Sequence, residues 1–407
     1  MMKDATLERI GRALDSFAIE LPSWGFADTG TRFGKFFQDA AASTLEEKLH
    51  DAGLVHKLTG SCPDVAVHVL WDFPPGSEAA GDPGQVVEQA KRHGVRIGSI
   101  NPNVFQDQQY KYGSYCSPRA EAREAALQHT LESVDIGAAV GSKVLTLWLA
   151  DGTNYPGQDS IYRRKAVLHE ALGKIGDRMA KRWPDATMLI EYKPFEPGFY
   201  HTDIADWGMA LTFAKRVGDR AKVLVDTGHH LPGANIEHIV AFLLAEGMLG
   251  GFHFNDRKYA DDDLTMASID PYAAFRIFDQ IEQYRFETGE SPTIAYMVDQ
   301  SHNLKPKLEA MVQTVEEAQK LRVRAELVDR DALRDAQQKA DVVGAERILK
   351  AAFEADVNEP LRQWRKSKGL PADPLTELRD SGVIDKLGKE RAAARRERGE
   401  VQATSYA

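Results

Sequence analysis

Residues 222–230 read Lys222-Val223-Leu224-Val225-Asp226-Thr227-Gly228-His229-His230. An apolar run that ends abruptly in an acid, a glycine and paired histidines is the pattern of a parallel strand. Such a strand is buried on both faces and carries polar chemistry at its C-terminal end. The pattern recurs in both directions along the chain. Toward the N-terminus, Thr187–Tyr192 runs into Glu191-Tyr192-Lys193, and Lys143–Leu149 is followed by Asp151-Gly152. Toward the C-terminus, Gly250–Asn255 closes in His253-Phe254-Asn255-Asp256, and Thr293–Val298 in Asp299-Gln300-Ser301-His302. Three earlier apolar runs, Ala18–Ser23, Val65–Leu70 and Ile97–Asn101, complete the series. Between them lie amphipathic stretches, Glu121–Val140, Ile161–Arg182, Asp203–Val217, Ile236–Glu246 and Tyr272–Tyr284. About eight strand–helix alternations before residue 325 are what an α/β chain needs to form a (β/α)8 TIM barrel. A doubly wound sheet would alternate too, but no GxGxxG or GxxxxGK[ST] follows an early strand.

Composition shifts after residue 325 to Ala, Arg, Glu, Lys and Asp with a helical period. The organisation expected is a catalytic barrel over 1–325 and a helical C-terminal extension over 326–407, packing on the barrel or on a neighbouring subunit. Ala392-Ala393-Ala394-Arg395-Arg396 reads as a solvated helix end. The balance of 51 basic and 61 acidic residues, a formal charge of −10, argues against a general nucleic-acid binder. Apolar stretches such as Val144–Leu149 fall far short of the ~20 residues that span a bilayer. Met1–Glu8 holds early acids and no apolar signal core, so the expected location is a reducing cytoplasm. Two cysteines, Cys62 and Cys116, exclude a disulfide framework and read as inert thiols.

Four successive strand ends deliver acids and imidazoles to one barrel mouth, where active sites of this architecture sit. So many carboxylates in one place repel each other, and a divalent cation is the ordinary remedy. Asp226-x-x-His229 places an acid and an imidazole where both can face one ion, and Asp261-x-Asp263 can clamp another. Bland readings stand beside these. An Asp after a strand is commonly a helix cap. Asp262 and Lys193 read as solvated side chains, and His302 as the cap of a helix start. An EF-hand is rejected, because Leu264 follows the triple Asp and no Gly occupies the sixth loop position.

Longer motifs carry a family resemblance: Pro22-Ser23-Trp24-Gly25, Thr31-Arg32-Phe33, Thr146-Leu147-Trp148, Asp151-Gly152-x-Asn154-x-Pro156-Gly157-Gln158, Gly250–Asp256, Lys258-Tyr259-x-Asp261-Asp262-Asp263-Leu264 and Asp299–Asn303. The chain resembles the L-rhamnose isomerases and related bacterial aldose–ketose isomerases of broad sugar specificity, and more distantly xylose isomerase. The resemblance implies two divalent ions per subunit, Mn²⁺ foremost, with Co²⁺, Mg²⁺ or Zn²⁺ as substitutes. One would be held by Glu191, Asp226, His253 and Asp299, the other by His229, Asp261 and Asp263 with Asp226 between them. Lys193, His229, Asp299 and Glu191 would be catalytic. His68, Trp24, Phe105, Trp148 and Lys193 would contact the sugar, with Phe33 entering from a neighbour in a homotetramer. The implied reaction interconverts L-rhamnose and L-rhamnulose by moving hydrogen between C1 and C2, by a hydride shift in preference to an enediol route with Glu191 as base. The chain departs from some relatives at Tyr192, at Arg257 and in a shorter Phe105–Tyr115 segment. The rival readings are a ketose 3-epimerase on the same barrel and a non-catalytic cytoplasmic sugar-binding protein. A physical hint toward an oligomer is the aromatic loop from Trp24-Gly25-Phe26 to Arg32-Phe33, costly to leave in water.

Overall fold

The computed structural model describes residues 4–28, 36–105, 107–196, 200–259, 261–302 and 304–399. The apolar runs become eight parallel strands: β1 (Leu21–Pro22), β2 (Asp64–His68), β3 (Arg96–Asn101), β4 (Val144–Leu147), β5 (Thr187–Glu191), β6 (Ala221–Asp226), β7 (Leu249–Phe254) and β8 (Ala295–Val298). They pair in chain order, and a parallel bridge from Glu20 to Met297 joins the last strand to the first. This is the (β/α)8 barrel the alternation calls for. Helices α1 (Asp4–Asp15), α2 (Leu45–Thr59), α3 (Pro83–Arg92), α4 (Ala120–Val140), α5 (Ile161–Arg182), α6 (Trp207–Val217), α7 (Ile236–Ala245), α8 (Pro271–Thr288) and α9 (Lys307–Glu326) surround it. Local chemistry sets their ends. Thr44 caps α2 by accepting from Glu47 N, Asp270 caps α8 ahead of Pro271, and Gly60 closes α2 at φ +75°.

Strand alternation decides which side chains see the barrel interior. Leu189, Leu224 and Met297 form a buried cluster inside the barrel. Two residues further along the same chains stand Glu191, Asp226 and Asp299, and His253 pairs in register with both Asp226 and Met297. The outward residues of β7, Phe252 and Phe254, stack instead with Tyr296 and Phe278 at interplanar angles of 8° to 17°. The polar layer therefore rests on an apolar plug. Glu20 also points inward, and it fits because Gly98 has no side chain: a Cβ there would lie 2.1 Å from Glu20 Oε2.

The extension continues as α10 (Arg330–Gln338), α11 (Val342–Phe353), α12 (Asn358–Ser367), α13 (Pro374–Asp380) and α14 (Val383–Glu397). It packs on its own barrel. Val357, Leu361 and Trp364 join Ile10, Leu14 and Val323 in one buried cluster. The expectation of a solvated C-terminal helix end is corrected: Arg391 and Arg395 are buried. Arg391 bridges Asp51 of α2, and both arginines donate to the carbonyls of residues 38–41. Two strand boundaries also need correction. The first strand shrinks to Leu21–Pro22, and Val69-Leu70 leaves the second strand to begin a short helix, Val69–Asp72. Tertiary hydrogen bonds override β propensity there, since Asn103 Oδ1 takes Leu70 N–H and Asp72 takes His68 N–H. Among the described residues no helix is long and apolar enough to cross a membrane.

Candidate metal centre and sugar site

At the mouth, the donor atoms of Glu191, Asp226, His253 and Asp299 all lie within 4.8 Å of one another. His253 Nδ1 sits 3.3 Å from Glu191 Oε2, 3.7 Å from Asp299 Oδ2 and 3.9 Å from Asp226 Oδ2. It is buried and has no hydrogen-bond partner among the described residues. A buried imidazole nitrogen aimed at three carboxylates has the donor chemistry of a divalent-cation site, so the residues fit such a metal. The electrostatics agree. Burial works against a charge on His253, yet the charges of Glu191, Asp299 and Asp226 raise it to about 9. Asp226 is pushed up to about 7 by burial and by the neighbouring acids. Burial opposes ionisation of Glu191 as well, but His253 and His229 hold its carboxyl down at about 2. The field that traps a proton here equally favours a metal ion.

His229 adjoins this set. Its Nδ1 lies 3.1 Å from Glu191 Oε1 and its Nε2 3.1 Å from Asp261 Oδ1, with Asp226 Oδ2 at 3.9 Å. Asp263 has φ +49°, a left-handed backbone that non-glycine residues seldom adopt. Its carboxyl is raised well above the usual range by burial and by the charges of Asp261, Asp299 and Asp226. The residues expected to hold a second ion are thus neighbours, with Asp226 between the two groups. Lys193 Nζ contacts Asp261 Oδ2 at 2.5 Å and Glu196 Oε2 at 2.6 Å, so it is an engaged, buried side chain and not a solvated one. Asp262 braces its own loop by accepting from the backbone of Lys258 and Tyr259. His302 caps no helix. Its imidazole lies buried against Gln300 and Thr265.

Sequence reasoning missed the inner supports. Asn255 Nδ2 donates to both oxygens of Asp226, at 3.0 and 3.2 Å, and Gly228 N–H adds a third bond at 2.7 Å. Trp24 Nε1 donates to Asp299 at 2.9 Å. Tyr192 faces away from the site, as strand alternation requires, and bonds His230 at 2.7 Å. Arg257 reaches sideways to Leu231 O. A second group of donor atoms also lies within 4.8 Å of one another, those of Cys116, Asp151 and Asp203. Asp151 already takes the N–H groups of Ser114 and Cys116 and the Ser114 hydroxyl, while Asp203 is paired with buried Arg164. That group braces a loop. Burial pushes both thiols up, Cys62 to about 12, which fits inert cysteines.

An aromatic wall flanks the candidate metal-binding residues. Ring centroids run from Trp24 to His68 at 4.6 Å, His68 to Trp71 at 4.2 Å, His68 to Phe105 at 5.7 Å and Phe105 to Trp148 at 4.9 Å. Lys193 Nζ lies 5.2 Å from the Trp148 ring centre. Trp71 is the member the sequence did not reveal; lying three residues beyond His68, it joins the wall only because that segment turns helical. Burial and the nearby Lys48 charge hold His68 neutral, down at about 3. His68 Nδ1 and Trp148 Nε1 are buried without a hydrogen bond from any of the described residues. Phe33 lies outside the described residues. Trp24 and Phe26 are buried within their own chain, so they do not supply the exposed aromatic surface first read from this loop.

Comparison with known proteins agrees with this architecture. The family profile described as xylose isomerase-like TIM barrel matches residues 66–287. A probable sugar isomerase of Mesorhizobium japonicum is 37% identical over 399 residues, covering 95% of this chain and 90% of that protein. A probable sugar isomerase of Rhizobium meliloti is 35% identical over 392 residues, covering 95% and 89%. Among solved structures, L-ribulose 3-epimerase superposes with a TM-score of 0.52 at 15% identity, over 80% of this chain and 98% of that one. The chain belongs to the xylose isomerase-like TIM-barrel family.

Proposed function

We propose that this chain is a divalent-metal-dependent sugar isomerase, and that its reaction is aldose–ketose isomerisation of L-rhamnose and similarly configured aldoses. The observation that carries the metal-dependent sugar chemistry is His253 Nδ1, buried, unbonded and facing three carboxylates beside an aromatic wall. A divalent cation held there would supply Lewis-acid polarisation of the sugar oxygens, and Mn²⁺ is our first choice. Glu191, Asp226, His253 and Asp299 would hold it, while His229, Asp261 and Asp263 would hold a second. Lys193 presents an ammonium group for a sugar hydroxyl or carbonyl oxygen. The wall offers apolar faces to a deoxy carbon, and its two unbonded N–H-bearing rings suit hydroxyls. The relatives named probable sugar isomerases support the reading. We place the catalytic unit in 1–325 and propose a homotetramer.

Ketose 3-epimerisation has comparable support, and one observation favours it. The ligand set that meets in full at the mouth is the four-residue one, enough for a one-ion reaction, while Asp261 is engaged by Lys193. A 3-epimerase needs an acid–base group on each face of C3, and Glu191 and Asp299 approach from β5 and β8. One experiment separates the two: a panel of aldoses and ketoses incubated with chelated protein, then with Mn²⁺, Co²⁺, Mg²⁺ or Zn²⁺. Product identity distinguishes a C1/C2 isomer from a C3 epimer. Turnover that survives full chelation, or no product under any metal, sinks both readings.

A further inference from the structure

Helix α2 carries two buried charges on one face, Lys48 at 5% exposure and Asp51 at 0%. Each looks in a different direction. Lys48 Nζ pairs with Asp72 Oδ1 at 2.6 Å, and Asp72 is itself 1% exposed. The other oxygen of Asp72 accepts from Ser23 Oγ at 2.6 Å and from His68 N–H at 3.0 Å. Those two partners are the residues that aim the wall. Ser23 precedes Trp24, whose indole holds Asp299, and His68 packs against the Trp24 ring. Asp51 looks toward the C-terminal extension, where Arg391 grips it with a two-pronged contact at 2.7 and 2.8 Å. Arg391 also holds Ala40 O, and the next turn of chain, Ala42, bonds Phe26 O at 2.8 Å. The extension thus reaches the Trp24 segment by two routes, through α2 and through residues 40–42.

A buried Lys–Asp pair contributes little net stability, because desolvation offsets its attraction, while breaking it is costly. Its placement between two strand ends, with every contact leading to a wall residue, calls for another role. We propose that Lys48 and Asp72 are positioning residues for sugar binding, fixing His68 and Trp24, and that Arg391 of the C-terminal helix holds α2 in place for that task. The inference rests on the mouth being a sugar site.

The test uses the full-length, metal-loaded protein with L-rhamnose and its alditol as probes. Binding is followed by tryptophan fluorescence alongside kcat, KM, bound-metal stoichiometry and melting temperature. Lys48→Met should raise KM and the alditol Kd about 10-fold, and Ser23→Ala about 3-fold, with kcat and metal content within about two-fold of wild type. Arg391→Lys keeps the charge but loses the planar fork, and should move KM in the same direction by about 3-fold. A merely structural role predicts the opposite split, with lower melting temperature and active fraction at unchanged KM and Kd; that result overturns the proposal. Should Lys48→Met fail to fold, Ser23→Ala and Arg391→Lys decide. A wild type that binds the alditol but converts no sugar ends the isomerase reading and leaves the affinity shifts to judge positioning. A wild type that binds neither probe refutes both.

Discussion

His253 and His229 lie on either side of Glu191, yet their surroundings assign them different tasks. His253 sits within a strand and faces carboxylates from three others, so a cation held there would tie β5, β6, β7 and the end of β8 together. His229 lies beyond its strand, toward Asp261. Replacing His253 with Ala should therefore abolish the rise in melting temperature produced by Mn²⁺. That stabilisation is worth about 4 kcal/mol when free metal exceeds Kd a thousand-fold. His229→Asn should keep most of the rise while losing turnover. Melts with and without metal check this, and equal losses in both variants contradict it. Glu20 gives a second residue-scale prediction. Burial raises its carboxyl to about 7 despite hydrogen bonds from Ser99. Its folded value lies above the unfolded one, so the folded state holds the proton more tightly. The associated stability is fully present below about pH 4.5 and is lost as pH rises through about 7. Glu20→Gln keeps an acceptor for Ser99 and carries no charge. In chelated protein the variant should gain on wild type by about 1–3 kcal/mol between pH 5 and 8 in urea titrations. A constant difference across that range contradicts the assignment.

At the scale of elements, strands with both faces covered were the most legible, because runs such as Val223-Leu224-Val225 admit few other placements. The candidate metal-binding residues at the strand ends follow the same rule: the period of two that buries Leu224 also turns Asp226 inward. What stayed hidden depends on partners distant in sequence. Nothing near Val69 announces that Asn103 and Asp72 will draw it out of a strand. Likewise nothing in the charge-rich helix around Arg391 announces Asp51, 340 residues away, as its partner. That pair carries an element-scale prediction. Arg391→Met leaves Asp51 buried with His50 as its one remaining partner among the described residues, and should cost about 3–5 kcal/mol. Adding Asp51→Leu removes the stranded charge and should recover most of the loss. Urea titration of the single and double variants checks it, and additive losses would show that the two side chains act independently.

The whole molecule exposes its large apolar side chains unevenly. Phe36 (68%), Tyr155 (62%), Tyr162 (90%), Leu231 (55%), Tyr259 (76%) and Leu304 (86%) all lie in segments that connect a barrel strand to its following helix, or at the first turn of that helix. Such segments form one face, the mouth. Isolated exposed hydrophobics need no explanation, but six around one rim favour burial against another surface. A second copy of the chain is the natural cover. A formal charge of −10 opposes association at long range, but at physiological ionic strength it is screened within about 8 Å, and the rim contact is apolar. The assembly should therefore be a homo-oligomer with mouth faces covered, of mass four times 45.2 kDa for the tetramer we propose. Light scattering across protein concentrations measures this directly. Tyr162→Lys with Tyr155→Lys, two residues outside the proposed metal and sugar contacts, should shift the population toward smaller species. A fully active monomer at 45.2 kDa would show that the rim needs no partner.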